Sequence, residues 1–248
     1  MNLLEHQAKT LVHQYGLPVP DGVVVQQADQ AGPVFDQLDS PFCMVKAQVR
    51  AGQRAAGGGI HRADNATACE VLASSLLGSW LVTPQTSPQG LAVDNVLIES
   101  GCQAARELYL ALLLDPADGE LIALAAPVGG TVVGDTDLPE RLSAPSRDVA
   151  HLKLPLTAGI DGATLDELAG VLLLEKEQRS AFGALMDGLH RAFIERDAML
   201  LEVNPLAVTE NGQFCCLDVK LSIDDNASFR QPWINDLDSA SVARPDPG

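Results

Sequence analysis

Leu200-Leu201-Glu202-Val203-Asn204-Pro205-Leu206-Ala207-Val208-Thr209-Glu210-Asn211-Gly212-Gln213-Phe214-Cys215-Cys216-Leu217-Asp218-Val219-Lys220 is the stretch on which the reading turns. Two apolar runs flank Glu210-Asn211-Gly212, and Asn-Gly between such runs is a strong hairpin signal. With Gly212 at the left-handed position of a short loop, Thr209 pairs with Gln213. Counting back from that pair sets Asn204 against Asp218 and Glu202 against Lys220. Side chains alternate along a strand, so Glu202 and Asn204 share a face with Asp218 and Lys220 opposite. A carboxylate beside an amide carbonyl offers the hard oxygen donors that suit Mg²⁺. The same spacing also fits the polar, solvent-facing side of an ordinary hairpin, although the strand 200–206 is otherwise apolar.

Composition narrows the classes. The 248 residues, 46% hydrophobic and 20% charged, suffice for one large domain or two small ones with a buried core. A formal charge of −17 leaves no surplus of cations, which argues against nucleic acid and against an anionic membrane surface as partners. A phosphorylated small molecule stays open, since it needs only a few placed cations, backbone N–H groups or a divalent metal. The five cysteines (Cys43, Cys69, Cys102, Cys215 and Cys216) lack a C-x-x-C spacing and read as buried free thiols in a reducing compartment. The five histidines show no metal spacing. With Asn2-Leu3-Leu4-Glu5 after the first methionine no signal peptide is expected, and the apolar run Leu108–Leu114 is too short to span a bilayer. A cytoplasmic location is expected.

Strands and helices alternate with hairpins, which indicates an α+β (mixed α/β) protein of two lobes. The first helix is expected to be capped by Asn2 with Glu5 in a capping box, to bury Leu4, Ala8, Leu11, Val12 and Tyr15, and to stop at Gly16 and Pro18. Strands are expected at 23–25, 43–49, 95–100, 107–114, 121–126, 198–208 and 213–220. Helices are expected at 29–38, 65–80, 164–174 and 178–196, the last burying Phe182, Leu185, Met186, Leu189 and Phe193. Residues 127–160 look least regular, and the chain from Trp233 on reads as tail or linker.

Three further features bear on chemistry. Lys46 lies within the apolar strand Val45-Lys46-Ala47-Gln48-Val49, where it either meets an anionic partner or snorkels from an edge strand. The glycine-rich stretch from Gly52 to Gly59 follows that strand. Such backbone can cover phosphates, but it can equally be a flexible turn, and neither a P-loop nor a dinucleotide fingerprint fits. Glu99 ends one apolar strand and Glu107 opens the next, placed either to hold a ribose or metal or to face solvent.

The order of these features resembles the nucleotide-binding part of the succinyl-CoA synthetase β subunit and its malate–CoA ligase relatives, the ADP-forming acyl-CoA ligases of ATP-grasp type. The likeness is carried by Met1–Lys9 with Tyr15–Pro20, Val45–Val49, Leu81–Thr86, Glu107–Leu110, Glu195–Asp197, Glu202–Leu206, Leu217–Lys220 and Asp225–Gln231. It implies an ATP-grasp fold whose two lobes hold ATP between them. Residues 1–20 and 104–232 would form the lobe with the metal-binding hairpin, 21–103 the lobe with the lysine and glycine loop, and 233–248 a tail toward an absent domain. It further implies Lys46, Gly52, Gln53, Arg54, Ala55, Glu99, Cys102 and Glu107 around the nucleotide, and Asn204 and Asp218 on Mg²⁺. Glu202 would help hold the phosphohistidine of a partner α subunit, which also binds CoA.

Three departures stand beside the likeness. The family loop Ala-Gly-Gly-Arg-Gly-Lys-Ala-Gly-Gly appears as Ala51–Gly59 with Gln53, Ala55 and Ala56 replacing two glycines and a lysine. A Cβ where φ must be positive distorts such a loop, and the missing lysine weakens phosphate neutralisation. The family's Glu-Gly-Gly-x-x-Ile-Glu segment reads Val128-Gly129-Gly130-Thr131-Val132-Val133-Gly134 without either acid. The flavodoxin-like second domain that binds the acid substrate is expected to be missing. The alternative is therefore a degenerate ATP-grasp protein that binds nucleotide weakly or not at all and acts as a regulatory or scaffolding partner.

Overall fold

The computed structural model describes residues 1–115, 118–130 and 149–233. Two antiparallel sheets form two lobes. The smaller lobe has a four-stranded sheet of β1 (Gly22–Val25), β6 (Val96–Ser100), β2 (Cys43–Ala47) and β3 (Ile60–Ala63), in that spatial order. One face carries Cys43, Val45, Ala47, Val96 and Ile98 against α2 (Ala31–Gln37) and α3 (Ala66–Leu76), the packed side of a period-2 pattern. Asn65 caps α3 by accepting the Ala68 N–H at 2.8 Å. That helix stops at Leu76, short of the expected 80, and Trp80 enters a two-stranded ribbon of β4 (Trp80–Leu81) and β5 (Leu91–Ala92).

The larger sheet runs β11 (Phe214–Cys216), β10 (Ala198–Thr209), β7 (Ala104–Asp115), β8 (Glu120–Ala126) and β9 (Ala150–Leu154), with β12 (Val219–Ile223) also paired to β10. Its even-numbered β7 residues Leu108, Leu110 and Leu112 pack with Leu201 and Val203 against three helices. These are α1 (Glu5–Gln14), α4 (Gly162–Val171) and α5 (Arg179–Glu195). The expected apolar stripe of α5 is buried throughout. Tyr109, Ala111, Leu113, Leu124 and Leu200 form a smaller cluster on the sheet's other face.

Some expectations are corrected. Asn2 does not cap α1; it makes a bridge with Ser222, while Gln7 accepts the Leu4 N–H at 2.9 Å. Glu5 is buried rather than folded back as a capping acid. The C-terminal end of α1 behaves as expected, with Gly16 at φ +85° and the Leu17 N–H reaching the Val12 carbonyl at 3.3 Å. The single strand expected over 213–220 is two strands with a break at Leu217-Asp218. β9 lies in a stretch expected to be irregular. Trp233 is not tail: its ring packs on the larger core, its indole N–H donates to Gln231 at 2.7 Å, and the Arg196 guanidinium lies 5.5 Å from its centre. Residues 234–248, and 131–134 of the altered glycine segment, lie outside the described residues.

Candidate functional site: an ionic cluster between the lobes

The hairpin folds in the register counted from its turn. Thr209 N–H meets the Gln213 carbonyl at 2.9 Å, Gly212 adopts φ +74°, and Glu202 pairs with Lys220. Asn204 N–H donates to the Asp218 carbonyl at 3.1 Å, across the break between β11 and β12. On its other side β10 shifts register against β7 between Val203 and Leu206, at the cis Asn204-Pro205 bond. Irregularities of this kind re-aim side chains beside sites. Glu202 is buried at 8% exposure, with Lys220 and Ala111 as its cross-strand neighbours, so this face of the hairpin is not a solvent-facing one.

Lys46 lies on β2, which has strands on both sides, so the snorkelling reading fails. Its neighbours Val45 and Ala47 point into the small core and Lys46 points the other way. Glu99 shares that face, because Lys46 pairs with Leu97 and Met44 with Glu99. The Lys46 ammonium donates to Glu5 (3.0 Å), Glu99 (2.6 Å) and the Leu217 carbonyl (2.8 Å), using its three donors. Lys9 repeats this arrangement from α1, bonding Glu5 (2.9 Å), the Leu217 carbonyl (2.7 Å) and Glu99.

Arg54 completes the cluster from the glycine-rich loop. One terminal nitrogen donates to the Ala47 carbonyl at 2.9 Å. The other meets Glu5 Oε2 at 2.7 Å and both oxygens of Asp218 at 3.0 Å. Three cations and three carboxylates thus interlock, all buried except Asp218, whose side chain is 34% exposed. Burial would push the Glu5 carboxyl up, but Arg54, Lys46 and Lys9 together hold it well below its ordinary 4.5. Burial would likewise lower Lys46, yet Glu5 and Glu99 keep its ammonium above the usual lysine range. Glu5 and Lys46 are therefore each held in the charged form by the other's neighbourhood.

The loop packs closely. The Gly52 N–H donates to Gln85 at 2.9 Å, and a Cβ on Gly57 would lie 2.4 Å from the Val82 carbonyl oxygen. Gln53 holds φ +55°, a left-handed conformation that glycine adopts freely and that costs other residues roughly 1–2 kcal/mol. The conformational demand expected at this position is thus met by a residue ill suited to it. Ala55 is exposed, its carbonyl accepting the Gly58 N–H at 3.1 Å.

The remaining candidates lie at the rim. Cys102 is half-buried against Cys215, and burial raises both thiols, Cys215 up to about 12. All five cysteines are free, and Cys43 and Cys69 touch at 3.6 Å within the small core. Glu107 is exposed, and the Gly129 N–H donates to its carbonyl at 2.8 Å. The Asn204 side chain pairs with Gly130 in both directions: Oδ1 accepts the N–H at 2.6 Å and Nδ2 donates to the carbonyl at 3.2 Å.

Lys46, Arg54, Glu99 and Asp218 are therefore brought together, with Asn204 and Glu202 next along the hairpin, while Gly52, Gln53 and Ala55 surround Arg54 in the loop. Of the two members contributed by α1, Glu5 was expected only as a capping acid and Lys9 in no role. Their i, i+4 spacing within Glu5-His6-Gln7-Ala8-Lys9 was the available signal. Among the described residues no three His, Cys, Asp or Glu side chains gather as a metal site, and no helix is long and apolar enough to cross a membrane.

Known proteins resemble this chain in sequence and fold. A family profile described as "ATP-grasp domain" matches residues 2–208. The chain is 38% identical over 246 residues to a succinate–CoA ligase [ADP-forming] subunit beta of Syntrophotalea carbinolica, covering 98% of this chain and 61% of that protein. A protein of the same name from Laribacter hongkongensis is 39% identical over 237 residues, covering 94% and 59%. The chain thus spans about three fifths of the length of these relatives. Among solved structures, an ATP citrate lyase from Methanothrix soehngenii superposes with a TM-score of 0.66 at 16% identity, covering 99% of this chain and 55% of that one. An acetyl-coenzyme A synthetase 1 of Ca. Korarchaeum cryptofilum gives 0.65 at 16%, covering 90% and 93%. Those two likenesses establish the fold, and the profile covers most of the chain. By that match, the chain belongs to the ATP-grasp family.

Proposed function

We propose that this chain is the nucleotide-binding part of an ADP-forming carboxylate–CoA ligase, taking Mg-ATP and passing the γ-phosphoryl group to a histidine of an α-type partner subunit. The observation that carries the proposal is the pair of buried cations, Lys46 and Arg54, converging on the hairpin that bears Asp218. Phosphoryl transfer asks a protein mainly to position groups and to neutralise charge, and two buried cations beside a carboxylate are suited to that. Asn204 on β10 and Asp218 in the break opposite it supply oxygen donors that fit Mg²⁺, which commonly takes one or two protein ligands and completes its shell with water and phosphate. Bound there, the ion would neutralise charge on the phosphates. Arg54 then has to give up Asp218 and turn to the phosphates, and Gly130 has to release the Asn204 carbonyl. Glu202, on the same face of the hairpin as Asn204, would then receive the partner's histidine.

A second reading, a degenerate fold that acts as a regulatory or scaffolding partner, is favoured by one observation. The cations of the cluster already have carboxylate partners, and both metal-ligand candidates already accept protein donors. A thermal-shift titration separates the two. Stabilisation by millimolar ATP that grows on adding Mg²⁺ supports the ligase reading, and an unchanged midpoint with both present supports the degenerate one.

A further inference from the structure

Glu5 has a position that no other carboxylate among the described residues shares: it contacts both Lys46 and Arg54 directly. Its Oε1 accepts from Lys9 at 2.9 Å and Lys46 at 3.0 Å, and its Oε2 from Arg54 at 2.7 Å and Gln48 at 3.3 Å. An ionised carboxylate has about four acceptor sites, and here all are used. Glu99 reaches the two lysines, and Asp218 bonds Arg54. We infer that Glu5 is a positioning residue, through which the large lobe sets where the small lobe's two phosphate-facing cations present their charge. The inference rests on the reading of Lys46 and Arg54 as phosphate ligands.

The mounting suits that role. Glu5 is the first residue of α1, where unpaired N–H groups and the helix dipole favour a negative charge. Ala8, Leu11 and Val12 seat the helix in the larger core, so the carboxylate sits on a fixed support. Lys9, one turn on, holds Oε1 from behind. When Asp218 releases Arg54, two anchors remain on the guanidinium, Glu5 Oε2 and the Ala47 carbonyl. Arg54 can then turn about those anchors without leaving the cleft. Replacing Glu5 by a neutral group would leave three cations facing two carboxylates, and mutual repulsion would drive Arg54, on its loop, outward first.

The test uses the full chain with Glu5→Gln, Glu5→Asp and Leu11→Ala, the last loosening α1 without touching the charges. Two readouts are taken: hydrogen exchange of the amides of residues 52–59, and the calorimetric Kd for Mg-ATP. Glu5→Gln is expected to speed exchange in the loop about tenfold and to weaken Mg-ATP about tenfold, less than the full cost of breaking a buried ion pair because Arg54 keeps its Ala47 and Asp218 contacts. Exchange within α1 should not change, and Glu5→Asp should recover most of both effects. Leu11→Ala should lower the unfolding midpoint and leave both readouts in place. Wild-type exchange and affinity in Glu5→Gln, or the same pair of changes in Leu11→Ala, would overturn the inference. If the wild type itself binds no Mg-ATP, the phosphate reading fails separately. The exchange arm then decides alone, since an unaccelerated loop in Glu5→Gln refutes positioning and an accelerated one, absent from Leu11→Ala, sustains it.

Discussion

Two groups of ion pairs in this molecule are made of the same side chains and differ in everything else. On the surface, Arg230 reaches Asp197 and Arg179 reaches Asp166 at 2.7 Å, with their cationic side chains 58% and 42% exposed. Between the lobes, Lys9, Lys46 and Arg54 meet Glu5 and Glu99 at 6% exposure or less. Water competes for the first group and is excluded from the second. A surface pair can therefore be lost with little effect, whereas a buried carboxylate deprived of its cation cannot be rehydrated. The difference shows where charge is held for a purpose other than solubility.

Substitutions can break this comparison in order of expected size. Lys46→Met keeps the volume and removes the charge, leaving Glu5 and Glu99 short of a partner. It should cost about 3–5 kcal/mol in urea unfolding, and a loss as small as that of a surface substitution would mean that the cluster is hydrated after all. Acid should act next. The Glu5 carboxyl is held well below 4.5, so its contribution is fully present above that pH and drains away as pH falls toward the depressed folded value. The unfolding midpoint should therefore drop below about pH 4.5 more steeply in the wild type than in Glu5→Gln, and parallel curves would count against it. Asp218→Asn frees Arg54 from its carboxylate. Metal-free ATP should then bind about tenfold more tightly while the added effect of Mg²⁺ disappears, reflecting release of a charge-assisted contact; weaker metal-free binding would contradict the exchange of partners. Arg230→Ala, last, should leave the midpoint where it is, and a clear shift would erase the contrast between the two groups.

What could be read in advance follows the range of the forces involved. The hairpin was legible to the residue because an Asn-Gly turn sets the register locally and alternation carries it back to Asn204 and Asp218. The stripe on α5 was legible for the same reason, as a repeat within one element. The break at Leu217-Asp218 was not, because it serves partners far along the chain: the Leu217 carbonyl accepts from both Lys9 and Lys46. Glu5 was expected as the acid of a capping box because its spacing from Asn2 is a local signal, whereas its burial comes only from the approach of β2 and β6, which bring Lys46 and Glu99. Asn2 fails as the cap because α1 begins at Glu5, and Gln7 supplies the turn back instead. β9 was not expected although Ala150, Leu152 and Leu154 alternate with His151 and Lys153, because five residues beside a stretch rich in Gly, Pro, Asp and Ser make a short run, and pairing with β8 is what sets it as a strand.

The cluster between the lobes is balanced, with Lys9, Lys46 and Arg54 against Glu5, Glu99 and Asp218. The whole of the −17 therefore belongs to the rest of the molecule. An incoming polyanion meets net repulsion once it comes within a Debye length of the acidic surface, about 8–10 Å in ordinary buffers, and finds attraction only after the inner charges change partners. Association of a nucleotide should accordingly become faster as ionic strength rises, the reverse of the usual steering of a ligand toward an oppositely charged site. The acidic exterior would act as a toll on arrival rate, which dissolved salt reduces.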